Sequence, residues 1–116
     1  MTERPTTAYK VLTAAEMAML EADGSFIGSA DDRGGGYIHL STAAQLEGTL
    51  AKHFAGQNDL HLAAVDLDAL AETIKWEPAR DSEFPHIYGP LPLDAVIAYG
   101  PLERDHDGNV RLPVAG

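Results

Sequence analysis

Residues 60–67, Leu-His-Leu-Ala-Ala-Val-Asp-Leu, are apolar at almost every consecutive position. An extended strand of this composition has no face it can leave in water, so it must run through the middle of a sheet with cover on both sides. That demand is severe for 116 residues, which is material for one core and a single domain. Helices and further strands from the same short chain have to supply the cover.

Two segments read as helices. Thr13 and Glu16 have capping-box spacing, and the run they open places Met17 and Leu20 on one face before Gly24 stops it. Thr42 and Gln45 repeat that spacing, with Ala43, Leu46, Leu50, Ala51 and Phe54 as an apolar stripe at helical period and Gly56 as the stop. Further strands are expected at 8–12, 37–40, 74–77, 86–88 and 95–100, with Asp107-Gly108 turning the chain back. Residues 1–7 read as a flexible polar lead-in, 24–36 as a Gly-, Ser- and Asp-rich loop, and 78–83 as a charged loop. Pro85 and Pro90 lack N–H groups and confine 86–88 to a very short extended piece. Several strands follow one another with no helix between them. The class is therefore α+β: one compact domain with a mostly antiparallel or mixed sheet and two main helices.

The charge balance narrows the partners. Eighteen acidic residues against eight basic ones give a net charge of −10, and the basic residues are scattered singly. Nucleic acid and anionic membrane both require clustered Lys and Arg, so neither is expected. A small anion remains admissible, because it answers to the field of one pocket rather than of the whole molecule. With no cysteine there is no disulfide and no thiolate chemistry. No apolar run approaches the length of a membrane span, and a cytoplasmic location is the expectation. The five histidines show no metal-ligand spacing, so no metal is expected. His53 and His61 read as packing histidines. Oligomeric state is not encoded in any feature of the chain.

Strand alternation singles out a candidate site. In 37–40, Ile38 and Leu40 point one way, and Tyr37 and His39 the other. In 86–88, Ile87 points to the core while His86 and Tyr88 share the opposite face. In 74–77, Lys75 and Glu77 oppose Ile74 and Trp76. If these strands are neighbours, proton carriers, hydroxyls and flat rings collect in one cleft. Histidine and tyrosine are also common half-buried strand residues, satisfied by a carbonyl or by each other. The repetition of the pattern in two segments is what favours a site. Ser41 and Thr42 open the second helix directly after His39, where N–H groups can attract an anion, and Arg33 with the glycines at 34–36 can close over it.

The three segments also carry a resemblance. Gly36-Tyr37-Ile38-His39-Leu40-Ser41-Thr42 with Gln45, then Lys75-Trp76-Glu77, then Phe84-Pro85-His86-Ile87-Tyr88-Gly89 resemble, in that order, the bacterial and plant domain-of-unknown-function family 952. Tyr37 stands where that family usually has phenylalanine, and Met17 and Phe26 stand where Trp and Tyr are expected. The family is remotely similar to the ADP-ribosyltransferase fold, whose members split NAD at the nicotinamide–ribose bond. The resemblance implies a nucleotide-like ligand, with NAD as substrate. His39 would hold a ribose hydroxyl, while Tyr88, Glu77 or His86 would stack the base or stabilise the cationic sugar. The expected site then comprises His39, Glu77 and His86 as catalytic groups and Tyr37, Ser41, Thr42, Trp76, Tyr88 and Arg33 as ligand-binding groups. The alternative is a non-catalytic module that binds a small ligand or another protein.

Overall fold

Thr13 is where the first strand becomes the first helix. β1 (Thr7–Thr13) ends there and α1 (Ala14–Asp23) begins. The Thr13 hydroxyl accepts from the Glu16 N–H at 3.1 Å, and the Glu16 carboxylate accepts from the Thr13 N–H at 2.9 Å. Two otherwise orphaned donors are satisfied by one reciprocal pair. Gly24, at φ 74°, ends the helix in the left-handed region. The computed structural model describes residues 5–79 and 82–113, with the backbone alone at 30 and 31. Residues 1–4 of the expected lead-in and positions 80–81 of the expected charged loop lie outside these; residue 7 is already in β1.

The remaining elements are β2 (Ser25–Phe26), α2 (Ala30–Gly35), β3 (Ile38–His39), α3 (Leu46–His53), β4 (Leu60–Asp66), β5 (Ile74–Ala79), β6 (Ser82–Ile87), β7 (Leu91–Pro92) and β8 (Val96–Pro101). They form an antiparallel sheet ordered β1-β4-β8, a second ordered β3-β6-β5, and the small pair β2-β7. β4 is the central strand of the first sheet. Its Ala63 and Val65 join one apolar cluster, with Leu12, Leu20 and Ile87, while Leu62 and Ala64 join another, with Tyr9, Leu46 and Leu50. Cover on both faces is what the composition of 60–67 requires.

The two three-stranded sheets meet through four residues. Ile38 and His39 pair with Ile87 and His86 of β6. Leu40 donates to the Pro85 carbonyl at 3.1 Å, and Ser41 then forms a bridge with Tyr9 of β1, at 2.7 and 2.9 Å. Pro85 thus lies inside β6 rather than fencing it, and the strand runs from Ser82 rather than from His86. The physical reason is where its missing N–H would point. Backbone N and O of one residue face the same neighbour in a ladder, so the absent donor faces the place where the chain leaves for β1.

Three other expectations change. Residues 30–35 are helical, although they contain two glycines, because Ser29 and Asp32 form a second capping box with both hydrogen bonds made. The caps offset a helix penalty of about 1 kcal/mol for each glycine. The third helix starts at Leu46, not at Thr42: the Gln45 carboxamide accepts from Thr42 N–H at 3.0 Å but also reaches Ser82 and Glu83 of β6, so 42–45 is a turn. Of its apolar stripe, Leu46 and Leu50 are buried, Phe54 is half-buried, and Ala43 and Ala51 are exposed. β5 and β6 together occupy most of the stretch read as a charged loop.

Ile87 is fully buried between the sheets' shared cluster, whereas Ile97 on β8 is 42% exposed. Ile87→Ala is expected to cost about 2–5 kcal/mol in urea denaturation, and Ile97→Ala within about 0.5 kcal/mol of zero. Equal losses at the two positions would contradict this core assignment.

Candidate functional site

A cleft of about 850 Å³ opens where the two three-stranded sheets diverge. β1 contributes Tyr9 and Lys10, α2 contributes Asp32, the β3 region Tyr37 and His39, and β5 and β6 contribute Glu77 and His86. Alternation along β3 and β6 turns Ile38 and Ile87 into the core and leaves the histidines on the cleft side. The antiparallel pairing of His39 with His86 brings their ring centroids to 5.2 Å. Tyr37 lies against both: it stacks on His86 at 4.2 Å and tilts against His39 at 4.7 Å. The Tyr88 ring completes the group at 5.2 Å from Tyr37.

Beneath His39 is a buried charge cluster. Asp32 is 2% exposed and accepts from Lys10 Nζ at 2.8 Å, from His39 Nδ1 at 2.7 Å, from the His39 N–H at 3.1 Å and from the Ser29 N–H at 2.9 Å. Burial by itself would raise its pKa, but the His39 hydrogen bond and the Lys10 charge prevail and hold the carboxyl well below the usual range. An ionised carboxylate only accepts, so Nδ1 of His39 carries the proton. In the neutral ring Nε2 is then the acceptor. The His39 side chain is 46% exposed, so this nitrogen belongs to a ring that solvent and solutes can reach. Gly28 makes the arrangement sterically feasible. At φ 111° it adopts a conformation that other residues avoid, and a Cβ there would lie 2.8 Å from that of Asp32.

His86 is held in the same way from the other sheet edge. Its Nδ1 is 2.8 Å from Glu77 Oε1, and the Tyr88 hydroxyl donates to the same oxygen at 2.6 Å. The Tyr88 and His86 hydrogen bonds lower the Glu77 pKa. The bond to Glu77 in turn pushes the Tyr88 phenol up to about 12. Lys75 Nζ lies over the Tyr88 ring at 4.7 Å. Each imidazole is thus oriented by a carboxylate on Nδ1, the arrangement that fixes a ring for proton transfer or hydrogen bonding through Nε2.

Other expected residues fall elsewhere. Ser41 lines the cleft, its hydroxyl 2.6 Å from that of Thr49, but Thr42 is buried and does not line it. Neither offers a backbone N–H to an anion, because Ser41 donates to Tyr9 O and Thr42 to Gln45 Oε1. Trp76 is on the opposite face of β5 from Glu77 and packs against the core. Arg33 is exposed beside a separate hollow of about 240 Å³, shared with Ile27 and Gly89. His53 is an exposed residue on the cleft wall, not a packing histidine. Lys10 and Asp32 carry no expectation from the sequence, although Ser29-x-x-Asp32 has capping-box spacing and Lys10 is the one charge in an otherwise apolar strand centre. Among the described residues, no group of three or more His, Cys, Asp or Glu side chains is arranged to hold a metal ion. No helix among them is long and apolar enough to cross a membrane.

An α+β domain with two carboxylate-anchored histidines facing one cleft defines a class of small protein with a polar, aromatic-lined pocket. The chain belongs to the family described as Protein of unknown function (DUF952), whose model matches residues 11–99. It is similar to protein CC0527 of Caulobacter crescentus, whose crystal structure is 43% identical over 91% of this chain and 94% of that one, with a TM-score of 0.82. The solution NMR structure of CC0527 gives 44% identity, 91% coverage of each chain and a TM-score of 0.77. No curated protein matches the chain.

Two outcomes follow from the charge cluster and the Glu77 network. Asp32→Asn leaves Lys10 buried beside a neutral amide and is expected to cost about 3–5 kcal/mol at pH 7. Because the folded pKa of Asp32 lies below the value of about 3.9 for an unfolded aspartate, the stabilisation is fully present above that pH and is lost as pH falls through the lower, folded value. The difference between wild type and variant in denaturant melts should therefore persist at pH 5 and shrink only below about pH 4. In tyrosine-labelled protein, the Tyr88 phenol should remain protonated at pH 11 and become mostly ionised there in Glu77→Gln, read by NMR. A Tyr88 that titrates alike in both proteins would show that the 2.6 Å bond does not hold its proton.

Proposed function

We propose that the cleft binds a nucleotide-like ligand and that the chain acts on NAD, cleaving its nicotinamide–ribose bond and delivering the ADP-ribosyl group to water or another nucleophile. The observation that carries this reading is the Tyr37–His86 stack beside the Glu77 carboxylate. Flat faces accept a planar base, and a carboxylate that stays ionised favours the positive charge that builds on a sugar as its glycosidic bond breaks. Glu77 meets the second requirement, because its two hydrogen bonds lower its pKa. His39, anchored through Nδ1, can accept a proton at Nε2 from the incoming nucleophile or bind a ribose hydroxyl there. About 850 Å³ lies within the range of small-molecule and cofactor sites, and the cleft is large enough for a dinucleotide to enter in part. The remote similarity of the family to the ADP-ribosyltransferase fold supports the same chemistry.

The test is release of nicotinamide from NAD by the purified chain, with and without added acceptor proteins. Wild type is expected to release it, and Glu77→Gln to lose roughly 10²–10³-fold in turnover while binding NAD within a few-fold of wild type. A ligand that raises the melting temperature without any turnover would transfer the site to a non-catalytic binding role.

A further inference from the structure

α3 contributes part of the cleft wall, and the chemistry of that part differs from the rest of the molecule. Thr49, Lys52 and His53 all line the cleft from this helix. Their spacing of three and four residues places them on one helical face. Glu47, the acidic residue of the same helix, instead pairs with Arg104 at 2.9 Å and does not line the cleft. In a chain with 18 acidic residues, the only carboxylates that line the cleft among the described residues are Asp32 and Glu77. Asp32 is neutralised by Lys10, and Glu77 is engaged by His86 and Tyr88. Lys52 has no carboxylate partner among the described residues. A positive, hydroxyl-bearing wall inside an acidic protein is an electrostatic trap for an anion, and the net charge of −10 outside it makes the contrast sharper.

We infer that Thr49, Lys52 and His53, with Ser41 behind Thr49, form a phosphate subsite that receives the anionic part of the cleft's ligand. The ligand class is a phosphorylated or pyrophosphorylated small molecule with a planar ring at its other end. The Ser41 hydroxyl contributes indirectly: at 2.6 Å from Thr49 Oγ1 it fixes that hydroxyl's position on the wall, and the long 3.3 Å bond that Thr49 donates to the Gln45 carbonyl is one a phosphate oxygen can replace. Lys52 supplies the charge, and its flexible stem suits a point contact with a phosphate oxygen. This inference deepens the nucleotide reading and rests on it for the identity of the planar end, but the anion site stands on the α3 residues alone.

Calorimetry and thermal shift with inorganic pyrophosphate, ADP-ribose and nicotinamide separate the two. The wild type is expected to bind pyrophosphate and ADP-ribose, both weakening as salt rises, and Lys52→Gln to lose at least about tenfold in affinity for each. Nicotinamide, which lacks phosphate, should bind wild type and Lys52→Gln alike. Thr49→Val, which keeps the volume and removes the hydroxyl, should weaken pyrophosphate without altering its salt dependence. Lys52 is exposed in the last turn of α3, so the variant's melting temperature without ligand should match wild type and confirm its fold. Loss of pyrophosphate binding in Lys52→Gln upholds the subsite even if NAD proves inert, and then only the NAD reading falls. NAD or ADP-ribose binding that is indifferent to Lys52→Gln overturns the subsite and leaves the NAD reading intact. No binding of any phosphate compound to wild type overturns both.

Discussion

The Lys10–Asp32 ion pair is the constraint around which the rest of the molecule is arranged. Two buried charges are tolerable only when each is paired and hydrogen-bonded, since the desolvation penalty is several kcal/mol per ion. Asp32 meets that condition by accepting from groups on β1, on β3 and at the N-cap of its own helix. β1 supplies the lysine, α2 the carboxylate, and β3 the imidazole and a backbone N–H. The cluster therefore fixes α2 against both sheets and sets the tilt of the His39 ring at the same time. Its weight as a source of stability is modest, because an apolar trio could pack equally well. Its value is orientation: the same carboxylate that anchors the helix also selects which nitrogen of His39 holds a proton.

Much of this was legible in the chain because strand alternation is a local code. Ile38 and Ile87 inward, with His39 and His86 outward, follow from a period of two and need no knowledge of the fold. The capping box at Thr13 and the doubly covered strand at 60–67 are equally local. What escaped depends on pairing over distance. Lys10 and Asp32 lie far apart in sequence, and nothing near either one announces its partner. The glycines at 34–36 argue for a loop on propensity, yet Asp32 is held by so many donors that a short helix forms regardless. Trp76 shows the limit of a motif. The Lys75-Trp76-Glu77 motif groups it with the ligand-binding residues, but the side it takes by alternation, opposite Glu77, is the one that packs against the core. Pro85 looked like a barrier because the strand's neighbour, and the direction of the missing N–H, were unknown.

The aromatic cluster links the two sheet edges in a way that hydrogen bonds alone do not. Tyr37 contacts His39, His86 and Tyr88, so the ring that separates the two imidazoles also keeps them in register. Asp32 holds one histidine and Glu77 the other, and their environments differ: one carboxylate is buried among four donors, the other faces the cleft. Two chemically similar dyads in one site can thereby take unlike roles, the better-exposed imidazole open to solutes while the buried one serves as a fixed surface.

The four residues from Ile38 to Ser41 belong to one sheet at their start and to the other at their end. Their number is consequently a ruler. One residue more or fewer would invert the alternation downstream of the change, carrying His39 toward the core or an aliphatic side chain into the cleft. Length variation among proteins built on this plan should accumulate in the turns beyond β8 or between α3 and β4, where backbone is exposed, and be shut out of this crossing. A tether this short also transmits displacement. Any spreading of the sheets to admit a ligand must be taken up elsewhere, since the crossing has no slack and the helix that precedes it is pinned by Asp32 to both sheets.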